Sequence, residues 1–225
     1  MHNCIEIIKK LKSLANLKNV EGMARFGINT KNTLGIPIPE LRKLSKQIGK
    51  NHELALEIYN SGIHEARILA CYIDNPKLVT EEQLEKWVKK LDSWDDCDQC
   101  CGNLFDKTEY AYKKAKEWTN RKEEFVKRAG FATMAQLAAH DKKASNKKIM
   151  EFFPYILKES GDERNFVKKA VNWALRQIGK RNKNLNREAI KLAKEIFKIN
   201  SKSARWITSN ALRELAEDKI SERLK

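Results

Sequence analysis

Apolar residues recur at spacings of three and four along most of the chain, which is the period of an amphipathic helix. The pattern predicts helices over 82–91, 123–139, 152–158, 165–180 and 187–198. No stretch alternates apolar and polar residues as a half-buried strand would. Start signals agree. Thr80-Glu81-Glu82-Gln83 forms a capping box, Ser93-Trp94-Asp95-Asp96 forms a similar one with Asp in the third position, and Pro39 before Glu40-Leu41-Arg42 suits a first helical position. Segments 27–39, 141–147 and 180–186 read as connections.

The helices repeat. Phe125-Val126-Lys127-Arg128-Ala129 returns 41 residues later as Phe166-Val167-Lys168-Lys169-Ala170. Asn172-Trp173-Ala174-Leu175-Arg176 is echoed 37 residues later by Ser209-Asn210-Ala211-Leu212-Arg213. A drifting period of about 40 residues in helical sequence is the mark of HEAT-like helix pairs, which bury little alone and stack into a solenoid. The expected fold is all-α, a curved right-handed solenoid of HEAT-like repeats filling one domain over 1–225.

Within 165–180 two stripes separate. Val167, Val171, Ala174 and Ile178 fall within about 40° of one another and form the face to bury. Lys169, Trp173, Arg176 and Lys180 share a stripe roughly 180° away. A tryptophan among three cations, opposite the core, suits a nucleic acid: phosphates for the cations, sugar or base for the ring. The plainer alternative packs Trp173 on a neighbouring repeat and leaves the cations solvated. In the preceding repeat Val126, Gly130, Thr133 and Leu137 form the core stripe, and Arg128 lies opposite with Ala132, Ala135 and Ala139. Three alanines would let a bulky partner approach the Arg128 guanidinium, whose fork fits phosphate. An ion pair with Glu124 is the structural alternative.

Trp94 and Asp98 are four apart and share a helix face. Asp95 and Asp96 are accounted for by the first helical turn, where carboxylates offset unpaired N–H groups. Asp98 lies beyond the preferred capping positions and flanks the apolar arc of Cys97, Cys101 and Leu104, so it is either paired with a cation or available for chemistry. Cys97, Cys100 and Cys101 lack a second Cys/His pair at zinc spacing, and on a helix Cys97 and Cys101 face the core with Leu104.

Charge narrows the partner. The chain has 225 residues, with 45 Lys and Arg against 30 Asp and Glu, a net charge of +15. With 41% hydrophobic residues it is too apolar for a disordered polyelectrolyte, and so basic a folded protein favours a polyanion. Nine glycines and four prolines are too few for an all-β sandwich or barrel. There is no apolar run of about 18 residues. Residues 1–12 carry charges inside their apolar stretch and do not read as a signal peptide, so an intracellular protein with reduced thiols is expected.

Trp94-Asp95-Asp96-Cys97-Asp98, 125–129, and 166–180 with its Asn-Trp-Ala-Leu-Arg core resemble the AlkD-like DNA alkylation repair enzymes, which are built of HEAT-like repeats. Arg25-Phe26-Gly27-Ile28 and Pro39-Glu40-Leu41-Arg42 look like that family's N-terminal segment, so the resemblance spans about 23–215. The 27–39 loop looks longer than the family's usual one, and the Cys97-Asp98-Gln99-Cys100-Cys101 run differs from its common pattern. The resemblance implies a monofunctional glycosylase that removes cationic N3- or N7-alkylated purines from duplex DNA. It implies Asp98, Trp94 and Trp173 as catalytic residues and Arg128 as a phosphate contact; Lys169, Arg176 and Lys180 join Arg128 as expected DNA-binding residues. It also implies recognition through backbone and sugar rather than a base pocket. No cofactor and no metal are expected, and the expected protein is a cytoplasmic, nucleoid-associated monomer with no membrane contact. The family includes relatives that bind DNA without excision, so a non-catalytic binder of damaged or branched DNA is the alternative. A solenoid that binds an acidic peptide is a further one.

Overall fold

The computed structural model describes residues 3–217 and 224; among these every regular element is helical. The chain packs as two compact units, Met1–Glu109 and Tyr110–Lys225.

The first unit holds α1 (Cys4–Ser13), α2 (Leu17–Arg25), α3 (Ile38–Ile48), α4 (His52–Asn60), α5 (His64–Ile73), α6 (Glu81–Val88), α7 (Trp94–Asn103) and a 3-10 turn, Phe105–Lys107. Asparagines start three of them. The side chains of Asn3, Asn16 and Asn51 each accept from the backbone N–H three residues on, supplying a partner that the first turn lacks. Thr80 caps α6, accepting from the Gln83 N–H at 3.1 Å, but the other half of the expected box differs: the Gln83 side chain donates to Asp74 Oδ2 at 2.7 Å instead. Pro39 lies in the first turn of α3.

Helix α5 packs against α3, α4 and α7, and nine of its ten residues are buried. It therefore has no polar face for a periodicity argument to detect, and its buried His64, Glu65 and Arg67 require partners inside the fold. Glu65 finds its partners in the loop after α2. Its carboxylate accepts from the backbone N–H groups of Leu34 (2.8 Å), Gly35 (2.6 Å) and Ile36 (3.3 Å). Gly35 sits at φ +74°, where a Cβ would lie 2.3 Å from the Asn16 carbonyl oxygen, so only glycine fits this clamp. Cys97, Cys101 and Leu104 are fully buried, as the apolar arc predicts; Cys100, outside that arc, is buried too, and its sulfur meets Cys71 of α5.

The second unit holds α8 (Ala111–Thr119), α9 (Glu124–His140), α10 (Asn146–Met150), α11 (Phe153–Glu159), α12 (Asn165–Gly179), α13 (Lys183–Phe197) and α14 (Lys202–Leu215). Its side chains record the repeat. Arg128 donates to the Phe166 carbonyl, Lys158 to Asn120, Asn172 to Asn210 and Ser201 to Glu163, each across a separation of 38 residues. The expected α12 stripe is fully buried: Val167, Val171, Ala174 and Ile178 are all at 0% exposure. Helix α13 begins at Lys183 rather than 187, because the Asn182 side chain caps it by accepting from the Leu185 N–H at 2.9 Å.

Helix α9 departs from expectation. It lies against both α8 and α12 and is buried on nearly all sides. At Gly130 a Cβ would come within 2.8 Å of the Thr119 nitrogen and 2.9 Å of the Ala115 carbonyl oxygen, so the glycine sets the close approach to α8. Ala132 and Ala135 are buried as well, which overturns the reading of that stripe as an open approach to Arg128. Small residues here admit neighbouring helices rather than a ligand.

Candidate nucleic-acid interface

Helix α7 carries Trp94 and Asp98 one turn apart, both partly exposed. The helix start is held firmly. The Ser93 N–H donates to Asp96 Oδ1 at 3.2 Å, and the Ser93 hydroxyl accepts from the Asn29 N–H at 2.8 Å. The indole N–H of Trp94 donates to the Phe26 carbonyl at 3.1 Å, fixing the ring against the loop that Glu65 clamps. Trp94 is thus oriented by contacts 68 residues away in sequence, with its ring not sealed in the core.

The two acids preceding Asp98 are engaged with α5. His64 Nε2 lies 2.9 Å from Asp95 Oδ2, and Arg67 Nη2 lies 2.9 Å from Asp96 Oδ2 and 2.6 Å from Asp92 Oδ1. Burial lifts the Asp96 carboxyl to about 7 against the pull of Arg67 and His64. Burial works to lower the His64 pKa, but the Asp95 hydrogen bond and the nearby carboxylates outweigh it, and the net direction is upward. Ligand atoms of His64, Asp92 and Asp96 lie within 4.8 Å of one another, a grouping with metal-ligand chemistry. The Arg67 guanidinium already supplies the positive charge between the two carboxylates, so the donor set is spent on an internal cation.

A cavity of about 750 Å³ opens beside this network within the first unit. Met23, Phe26, Ile68 and Trp94 are among its apolar walls, and His64, Glu65 and Asp95 also line it. The helical pattern of the sequence marks neither this cavity nor His64, Glu65 and Arg67. The available signal was three ionisable residues in an otherwise apolar helix.

In the second unit Trp173 is half-buried against the hydrophobic core, with one part of its surface open. Lys169 is exposed on the same stripe. Arg176 and Lys180 are not simply solvated. Both bind Glu214 of α14, Lys180 at 2.7 Å, and the pair holds the Glu214 carboxyl below its usual range although burial opposes this. Arg128 is only 5% exposed, and its Nη1 donates to the Phe166 carbonyl at 2.7 Å. An aromatic that the pattern did not single out, Trp206, is 38% exposed, with the Lys168 ammonium 5.2 Å from its ring centroid. The site residues therefore form two groups, Trp94 with Asp98 in the first unit and Trp173, Lys169, Arg176 and Lys180 in the second.

Residues 7–215 match the model of a family described as DNA alkylation repair enzyme. The chain belongs to that family. The match runs through both units. The chain is similar to the protein Lin0241 of Listeria innocua, 25% identical over 195 residues and covering 84% of each chain. It is also similar to Lmo0209 of Listeria monocytogenes, 25% identical over 126 residues, 54% of this chain and 56% of that one. A similar solved structure represents a family related to the HEAT-like repeat DNA glycosylases with affinity for branched DNA structures; it matches with a TM-score of 0.77 at 19% identity, covering 95% of each chain. This likeness shows the fold, HEAT-like helical repeats, as the repeat spacing predicts. Among the described residues no helix is long and apolar enough to cross a membrane.

Proposed function

We propose that this family member is a monofunctional DNA glycosylase that hydrolyses the N-glycosidic bond of N3- or N7-alkylated purines in duplex DNA. The observation that carries the reading is the start of α7. There Trp94 and Asp98 lie one turn apart on a shared helix face, and both reach solvent.

The chemistry asks little of the protein. An alkylated purine already carries a positive charge, so no general acid is needed to protonate the leaving group. As the C1′–N bond breaks, its electrons pass to the base and neutralise it, while cationic character builds on the sugar. The Asp98 carboxylate stabilises that charge and orients the attacking water. The water oxygen bonds to C1′, its proton leaves to solvent or carboxylate, and the products are a neutral base and an abasic site. The faces of Trp94 and, by the resemblance, Trp173 add cation–π stabilisation of the sugar.

Lys169, Arg176 and Lys180 are assigned to phosphates. Arg128, mostly buried, is assigned to the phosphate backbone through its solvent edge alone, and it also ties α9 to α12. The two units are taken to act as one domain, because the family match crosses between them. The protein works as a monomer at the nucleoid in the cytoplasm.

The test is base release from duplex containing 7-methylguanine, in single turnover. Wild type releases the base; Asp98→Asn binds the same duplex but loses most release. Equal release by the mutant would remove Asp98 from the mechanism. A second reading, binding of damaged or branched DNA without excision, draws on the branched-DNA affinity of the structurally similar family. Absence of release by wild type, together with retained binding to a four-way junction, would favour it.

A further inference from the structure

Helix α14 carries a second aromatic stripe that the mechanism above does not use. Lys202, Trp206, Ser209 and Arg213 fall within about 60° of one another, and all four are exposed. They repeat the α12 stripe of Lys169, Trp173, Arg176 and Lys180 position for position, 33 residues later, with serine in place of one arginine. The two helices pair at a different spacing. Lys168 meets Trp206, Asn172 meets Asn210 and Arg176 meets Glu214, each 38 residues apart. The α14 stripe is therefore set back toward its N-terminus by about one turn, and Trp206 stands beside Lys168 instead of Trp173. The Lys168 ammonium lies 5.2 Å from the ring centroid, yet Trp206 stays 38% exposed. Among the described residues none of Lys168, Lys202 and Arg213 has a carboxylate in ion-pair range, whereas Arg176 and Lys180 are held by Glu214. Glu163, the acid at this end of α14, is spent on the cap, where it accepts from the Ser201 hydroxyl and from the Ser203 N–H and hydroxyl.

We infer that the α14 stripe binds an unpaired strand of DNA, with a base stacked on Trp206 and the flanking phosphates on Lys168, Lys202 and Arg213. The cations alone would serve any phosphate backbone. The ring is what selects. An indole stacks only on a free base face, and inside a duplex both faces are covered by neighbouring pairs. Trp206 therefore favours a single-stranded end, gap or overhang over intact duplex. Every base has such a face, so the site carries no sequence preference. It lies within the second unit and involves neither Asp98 nor base excision.

The probe is a labelled oligothymidylate of about 10 nucleotides, compared by fluorescence anisotropy with a blunt duplex of the same length, using the full chain. Trp206→Ala should weaken oligothymidylate binding by about 5- to 150-fold, the range for losing one base–aromatic stack, and duplex binding by no more than about twofold. Trp206→Phe keeps a stacking face and should retain most of the affinity. Lys202→Ala should reduce the salt slope of oligothymidylate binding by about 0.7. Ser209→Glu leaves the ring in place and sets a negative charge on an exposed position of the stripe, so it should weaken the oligothymidylate several-fold at unchanged Tm. No binding of the oligothymidylate by wild type overturns the inference. So does equal affinity of wild type and Trp206→Ala, or an equal loss on both probes. If Trp206→Ala does not fold, Ser209→Glu decides, and wild-type binding by that variant overturns the inference. The glycosylase reading fails on a different measurement, base release from methylated duplex, and its failure leaves this site standing.

Discussion

Replacing Glu214 with Gln removes the carboxylate shared by Arg176 and Lys180 while keeping its volume. All three side chains are about a quarter exposed, at 26%, 27% and 28%. Pairs of this partly solvated kind are worth about 0.2–1 kcal/mol each. The two pairs together therefore hold back roughly 0.5–2 kcal/mol that the cations would otherwise spend on phosphate, or about 2- to 30-fold in Kd. Each cation that moves to a phosphate also steepens the slope of log affinity against log salt by about 0.9. The assay is fluorescence anisotropy with an undamaged duplex across a salt series. Glu214→Gln should bind more tightly, with a slope steeper by up to about 1.8. Mild acid does not mimic the mutation, since the pairs keep the Glu214 carboxyl ionised below its usual range. Unchanged affinity and unchanged slope would refute the assignment of Arg176 and Lys180 to phosphates.

Three other outcomes follow from the geometry. Asp96 prefers its proton in the folded state, at about 7 against 3.8 for an ordinary aspartate, so its stabilising contribution is full below about pH 4 and lost as pH rises through 7, an effect of up to about 4 kcal/mol. Wild type, followed by thermal unfolding, should therefore lose stability relative to Asp96→Asn as pH rises from 5 to 8, since His64 is common to both; a flat difference contradicts the burial argument. Gly130→Ala should lower stability by about 1–3 kcal/mol, because its Cβ would press on the α8 backbone, and an unchanged Tm would show that α8 and α9 can separate. Lys169→Ala should leave Tm unchanged and reduce the salt slope of duplex binding by about 0.9; an unchanged slope removes Lys169 from the interface.

Where one face of a helix is buried, the sequence announces it. The α12 stripe and the repeat of 125–129 at 166–170 were readable because burial there follows the helical period and the same packing problem recurs about 40 residues on. The α7 start was readable because capping chemistry is local. Buried helices hide from the same logic. Helices α5 and α9 are enclosed on nearly every side, so α5 shows no polar stripe and the alanines of α9 read as open space. The partners of His64, Glu65 and Arg67 lie 23 to 31 residues away, and the Trp94 anchor at Phe26 lies 68 away; spacing along one helix cannot reveal such contacts. Glu214 is the same case. Lys180 and Arg176 mark a stripe in the sequence, but the acid that partly neutralises them comes from the next repeat.

Asp98 is proposed to stabilise a sugar cation while the alkylated purine leaves. Release of 7-methylguanine from a defined duplex under single-turnover conditions, wild type beside Asp98→Asn at matched DNA occupancy, measures it directly. Rapid release by wild type and near-complete loss in the mutant is the predicted result; release at the same rate by both proteins contradicts it.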